Sequence, residues 1–205
     1  MKAAFLRVLS SGWAKPLVFC VALLPLAGLV WGAATQSLGA NPAEALIRST
    51  GDWTLRFLCG VLAVTPLRVV FGLPPLARLR RMVGLFVYFH AVLHLAAYSW
   101  LDMGLDVGDI TKDIGKRPFI LVGFTAFVLL SALAATSFDR AVRFLGGRRW
   151  RNLHRLVYLI APLALLHFFW MRAGKNNFTE VFVYALALSL LLGWRVMKFF
   201  NKKGL

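Results

Sequence analysis

The sequence predicts an all-α integral membrane protein, a bundle of six transmembrane helices. Three observations predict it: composition, the length of the apolar runs, and the placement of charge and tryptophan around them. Of the 205 residues, 60% are hydrophobic and 16% charged, and the mean hydropathy is +0.71. Soluble domains are about 45–50% apolar and about 25% charged. The balance excludes a disordered chain, a collagen and, with two cysteines, a secreted disulfide scaffold.

A bilayer core about 30 Å thick takes about 20 mostly apolar residues per helix. Six runs meet that length, at 16–35, 53–71, 83–100, 118–136, 152–171 and 178–197. With their connections they use nearly the whole chain, so residues 1–205 read as a single transmembrane domain with no room for a soluble one. Pro25, Pro66 and Pro162 fall inside spans, where neighbouring helices can re-satisfy the freed carbonyls. The first run is longer than a signal-peptide core, so it is expected to stay as a span. No internal repeat is evident.

Charge orients the bundle. Lys2, Arg7 and Lys15, then Arg68, Arg78, Arg80 and Arg81, then Arg140, Arg143, Arg148, Arg149, Arg151 and Arg155, then Arg195, Lys198, Lys202 and Lys203 fall on alternate segments. They are 17 of the 24 basic residues. The intervening segments hold Arg48, Lys112, Lys116, Arg117, Arg172 and Lys175, with Arg56 just inside the second span. The positive-inside rule therefore puts both termini in the cytoplasm. Seven of the eight acids lie on the opposite side, with Asp139 alone inside. The net charge of +16 is explained by this asymmetry, and no nucleic-acid partner is expected. Trp13, Trp31, Trp53, Trp100, Trp150, Trp170 and Trp194 all lie near span ends, as interfacial indoles do. Cys20 and Cys59 fall at different depths, so no disulfide is expected and both read as buried, inert thiols.

All four histidines, His90, His94, His154 and His167, fall in spans three and five. Intramembrane ionisable residues are rare and face the bundle interior or a cofactor. One alone would read as a packed core histidine; four on two helices point to a cofactor. His90 and His94 have the i, i+4 spacing of a zinc helix, but Ala91 stands where a zinc protease needs glutamate. No carboxylate in either span completes a mixed metal site. Imidazoles alone among Phe, Leu, Tyr and Trp suit haem, whose porphyrin needs only one or two axial ligands.

At 1.5 Å per residue His94 and His167 both lie in the outer half of their spans, where they can sandwich one haem. His154 lies near the cytoplasmic end, about 20 Å from His167 along a continuous helix. It suits a second haem or the anchoring of another cofactor. On a straight helix thirteen residues leave the two about 140° apart, an offset that Pro162 can change. His90 lies about 6 Å along its helix from His94, which reads equally as a ligand or as a histidine packed beside the haem.

The runs RRMVGLFVYFHAVLHLAAY (80–98), GKRPFILVG (115–123), ATS (135–137), WRNLHRLVYLIAPLALLHFFW (150–170) and TPLR (65–68) resemble the MsrQ (YedZ) family. These are haem-binding membrane subunits of bacterial periplasmic methionine-sulfoxide reductase systems. The family lies within the wider ferric reductase and NADPH-oxidase transmembrane group. The resemblance covers essentially the whole chain. It implies a ferric reductase-like, cytochrome b type bundle with a haem core at about 53–171, in a bacterial inner membrane. It implies haem b held by His94, His154 and His167 (one haem, or two if His154 takes a second), an FMN, and electron delivery to the periplasmic molybdopterin subunit MsrP. His90 is the departure, since it does not match a family histidine.

An electron-transfer subunit rather than a catalytic one is thus expected. A haem in the outer half leaves the inner half uncrossed, so a second centre is needed there. Guanidinium forks suit haem propionates and the FMN phosphate. Most cytoplasmic arginines need no role beyond orientation, but Arg155 adjoins His154 where a propionate or phosphate would emerge. No Gly-rich dinucleotide fingerprint is present, so a cytosolic flavin reductase or membrane quinol must supply electrons. The segment 101–117 reads as a partner dock or a solvated loop. The alternatives are a ferric or quinone reductase of the same architecture and a histidine-lined metal transporter without haem. The second would be expected to carry acidic intramembrane ligands or inverted repeats.

Overall fold

The computed structural model of the chain describes residues 2–174 and 176–203, with side chains over 6–174 and 176–201. The described residues contain helices and no strand. Among the described residues, six helical stretches are long and apolar enough to cross a membrane: Ala14–Ala34, Pro42–Val70, Arg80–Asp102, Pro118–Ala135, Asp139–Ala173 and Thr179–Asn201. The chain divides into two compact units, Met1–Leu105 and Asp106–Leu205.

The first unit holds α1 (Lys2–Ser10), α2 (Ala14–Ala34), α3 (Pro42–Val70), a 3₁₀ turn (Pro74–Arg78) and α4 (Arg80–Ala97), which runs on through a π turn, Tyr98–Asp102. Helix α3 starts at Pro42, well before the apolar run that opens near 53. The Asn41 side chain accepts the Glu44 amide at 3.1 Å. Pro42 occupies the first turn, where its missing N–H costs nothing. Glu44 sits at the positive end of the helix dipole and pairs with Arg48 at 2.6 Å. Capping sets the start of the helix, while hydropathy marks only where its apolar part begins.

Gly60 and Gly84 lie where α3 and α4 meet, each with room for a β-carbon at ordinary contact distance. A β-carbon on Gly60 would lie 3.8 Å from Val83, and one on Gly84 3.7 Å from Val61. Leu58, Leu62, Val87 and His90 are among the most completely buried side chains of the protein. The Arg78 guanidinium donates to the Ser10 carbonyl at 2.9 Å and ties the 3₁₀ turn to the end of α1.

Helix α2 turns most of its bulk outward, with Leu17, Val21, Leu24, Val30 and Trp31 exposed. Cys20 is exposed with them, which corrects the expectation that both thiols are buried. A span that is apolar all round carries no periodicity to say which face is inward. Cys20 and Cys59 are both free.

The second unit holds α5 (Val107–Lys116), α6 (Pro118–Ala135), α7 (Asp139–His154), α8 (Val157–Ala173) and α9 (Thr179–Lys203). Most of 101–117 is helical rather than a solvated loop. Asp106 caps α5 by accepting the Asp109 amide at 2.9 Å, and the largely buried Asp113 pairs with Arg117 at 2.8 Å. Pro118 then opens α6. Ala126, Leu130 and Leu133 of α6, Ile160 and Ala161 of α8, and Val181 and Leu188 of α9 form the core.

The stretch expected as a span from 152 is interrupted near its start. Helix α7 ends at His154, and Arg155 and Leu156 form a turn before α8. There the amides of Arg155, Leu156, Tyr158 and Leu159 bond three residues back, at 2.9–3.2 Å. Such winding advances about 120° per residue rather than about 100°, which reduces the angular offset between His154 and His167. Helix α7 has its own break at Gly146 (φ 73°, ψ 150°), a conformation essentially confined to glycine.

Candidate functional site

Every histidine is held by a named partner; His94 and His167 share one setting, while His154 and His90 each have their own. His94 of α4 bonds through Nδ1 to the Ile47 carbonyl of α3 at 2.8 Å. His167 of α8 bonds through Nδ1 to the Phe119 carbonyl of α6 at 2.7 Å. A carbonyl only accepts, so Nδ1 carries the proton in both, and in the neutral ring Nε2 carries the lone pair. Both rings are half-buried. They are thus set as imidazole donors, each in its own unit.

Both rings also lie against a glycine. A β-carbon on Gly51 would fall 3.1 Å from Cε1 and Nδ1 of His94, and one on Gly123 would fall 2.6 Å from Nδ1 of His167. Each glycine is four residues after the carbonyl that takes the imidazole proton. Thr50, itself buried, lies 2.8 Å from the Leu46 carbonyl and 2.9 Å from the same Ile47 carbonyl that His94 uses.

His154 is set differently. Its Nε2 lies 3.1 Å from the Thr136 hydroxyl, and its ring stacks on Trp150 with centroids 4.1 Å apart. The Trp150 indole N–H donates to the Thr136 carbonyl at 2.8 Å, so the ATS segment fixes both rings. Arg155 follows at the end of α7 and is exposed.

His90 is fully buried, with Nδ1 3.1 Å from the Phe86 carbonyl of its own helix. Phe57 lies 4.9 Å away and Phe89 5.3 Å away, edge-on. Among the described residues its Nε2 has no hydrogen-bond partner. His90 and His94 are neighbours on one helix, but rings enclose the first and a facing carbonyl holds the second.

Among the described residues no three His, Cys, Asp or Glu side chains gather into a metal-binding group. The donor set is of single imidazoles, and His94, His154 and His167 are each oriented by a residue outside their own helix. The sequence reading reached the imidazoles and missed what orients them: Ile47, Thr50 and Gly51 on α3, Phe119 and Gly123 on α6, Thr136 and Trp150. An available signal was the capping pattern Asn41-Pro42-x-Glu44, which extends α3 over Ile47 and Gly51.

This arrangement, histidines on apolar helices of a six-span chain, coincides with a known family model. The ferric reductase like transmembrane component matches residues 50–165. The chain belongs to that family and, within it, to the MsrQ family. It is 68% identical, over 92% of its length and 86% of the relative's, to a protein-methionine-sulfoxide reductase heme-binding subunit MsrQ of Polaromonas naphthalenivorans. It is 52% identical to the Bordetella pertussis protein of the same name, over 100% of this chain and 98% of that one. It is also 43% identical to the magnetosome protein MamZ of Magnetospirillum gryphiswaldense, over 88% of this chain and 28% of that longer protein. No solved structure matches the chain.

Proposed function

We propose that this chain is the haem b-binding membrane subunit of a protein-methionine-sulfoxide reductase system. It passes electrons from the cytoplasmic side or the quinol pool to a periplasmic molybdopterin subunit, MsrP, for repair of oxidised periplasmic proteins. The observation that carries the reading is the shared setting of His94 and His167. Each is an imidazole whose Nδ1 proton is fixed on a facing carbonyl, as metal-ligating histidines commonly are. The name borne by relatives as similar as 68% agrees with it.

His94 and His167 would hold the haem iron, a pairing that rests on their sequence depths. When bound, haem supplies a one-electron carrier inside the low-dielectric slab. The chain's own residues hold the two imidazoles in one tautomer. His154 and Arg155 belong to the cytoplasmic-side centre, as ligand or anchor of a second haem or of FMN. Arg155 is placed there for a propionate or phosphate. The positive-inside charge supports both termini in the cytoplasm, and kinship with the MsrQ relatives supports a bacterial inner membrane.

The test uses the full chain, purified and reduced with dithionite, then mixed with the periplasmic molybdoenzyme and methionine sulfoxide. Reoxidation of the chain's visible spectrum is expected only when both are present. Reoxidation by ferric citrate or a quinone, with none by the molybdoenzyme, would replace this reading with a ferric or quinone reductase.

A further inference from the structure

Two helix pairs repeat one detail. In α3 and α4, His94 gives its Nδ1 proton to the carbonyl of residue 47, and residue 51 is glycine. In α6 and α8, His167 gives its Nδ1 proton to the carbonyl of residue 119, and residue 123 is glycine. In an α-helix the carbonyl of residue i already takes the amide of residue i+4. The side chain of residue i+4 flanks the remaining lone pair of that oxygen. A residue without a β-carbon therefore opens that lone pair to a donor from a neighbouring helix. At 123 a methyl group would fall 2.6 Å from the donating nitrogen, and at 51 it would fall 3.1 Å away. Real β-carbons almost never come as close as the first.

We infer that Gly51 and Gly123 are positioning residues, each opening a helix carbonyl that orients one imidazole and raises its basicity toward a bound haem iron. The inference rests on the function proposed above and names residues that set the electronic character of that site. A hydrogen bond from Nδ1 makes the ring more imidazolate-like, which favours ferric over ferrous iron. Weakening either bond therefore raises the reduction potential. Thr50 acts in the opposite sense on one side only: its hydroxyl competes for the Ile47 carbonyl, while the corresponding position on α6 is Val122.

The first test is independent of haem. Solid-state ¹⁵N spectra of the histidine-labelled apoprotein, with four rings to assign, read the tautomer directly. His94 and His167 are expected with the proton on Nδ1. Protonation on Nε2 in either ring would overturn the inference for that ring. The second test is potentiometric titration and electron paramagnetic resonance of the haem-loaded full chain. Gly51→Ala and Gly123→Ala are each expected to raise the midpoint potential, Gly123→Ala more. The expected change is at least tenfold in the ferric-to-ferrous ratio at fixed potential for Gly123→Ala, about 59 mV for one electron.

Gly60→Ala and Gly193→Ala, where a methyl meets ordinary contact or open space, are expected to leave potential and g-values unchanged. Thr50→Val, the milder variant if the alanines do not insert, is expected to lower the potential. Wild-type potential and g-values in both glycine variants would overturn the inference. A wild-type chain without haem would overturn the proposed function instead, leaving the tautomer measurement to decide on the glycines.

Discussion

At the residue scale the four histidines divide by what holds them. Replacing His94 or His167 with alanine removes an oriented lone pair, and each variant is expected to lose the outer haem, read as loss of the low-spin Soret band. Retention of full haem content in either would break the pairing. His90 makes the contrasting case. Aromatic rings enclose its Nε2 without a partner, and an orphaned buried polar group costs about 1–3 kcal/mol. His90→Leu is therefore expected to keep the haem spectrum and to melt no lower than the wild type in detergent. Loss of haem in that variant would make His90 a ligand after all. The histidines themselves were legible in the sequence, because ionisable side chains stand out in apolar spans. Their second partners were not, because a backbone carbonyl and an absent β-carbon leave no periodicity or charge to read.

At the element scale the helices follow from two different signals. Hydropathy located the apolar stretches, while the helix ends came from local chemistry: the Asn41 cap for α3 and the Asp106 cap for α5. The residues that orient His94 therefore lie in the polar opening turns of α3, outside the run that marks it as a span. The interruption at 155–156 was equally hidden, since no proline or glycine marks it. Gly146 makes a break within α7 at φ 73°, ψ 150°. Gly146→Ala is expected to cost about 1–3 kcal/mol, seen as a lowered melting temperature. An unchanged melting temperature would mean that the strained conformation is not needed.

At the scale of the whole molecule, charge and cofactor chemistry meet. On the segments assigned to the outside, Arg48, Lys112, Arg117 and Arg172 each pair with an acid, respectively Glu44, Asp109, Asp113 and Glu180. Those pairs neutralise one set of segments, while the other set keeps its excess of arginine and lysine. Reporter fusions are expected to place both termini in the cytoplasm, and a periplasmic signal from a fusion at residue 205 would reverse the assignment.

The central claim, that imidazoles on apolar helices of this chain hold iron porphyrin, meets its most direct test in one measurement. It is the reduced-minus-oxidised visible spectrum, with haem quantified per chain, of the full-length protein purified from iron-replete cells. At least one low-spin haem b per chain is expected. A correctly inserted, colourless preparation would contradict it.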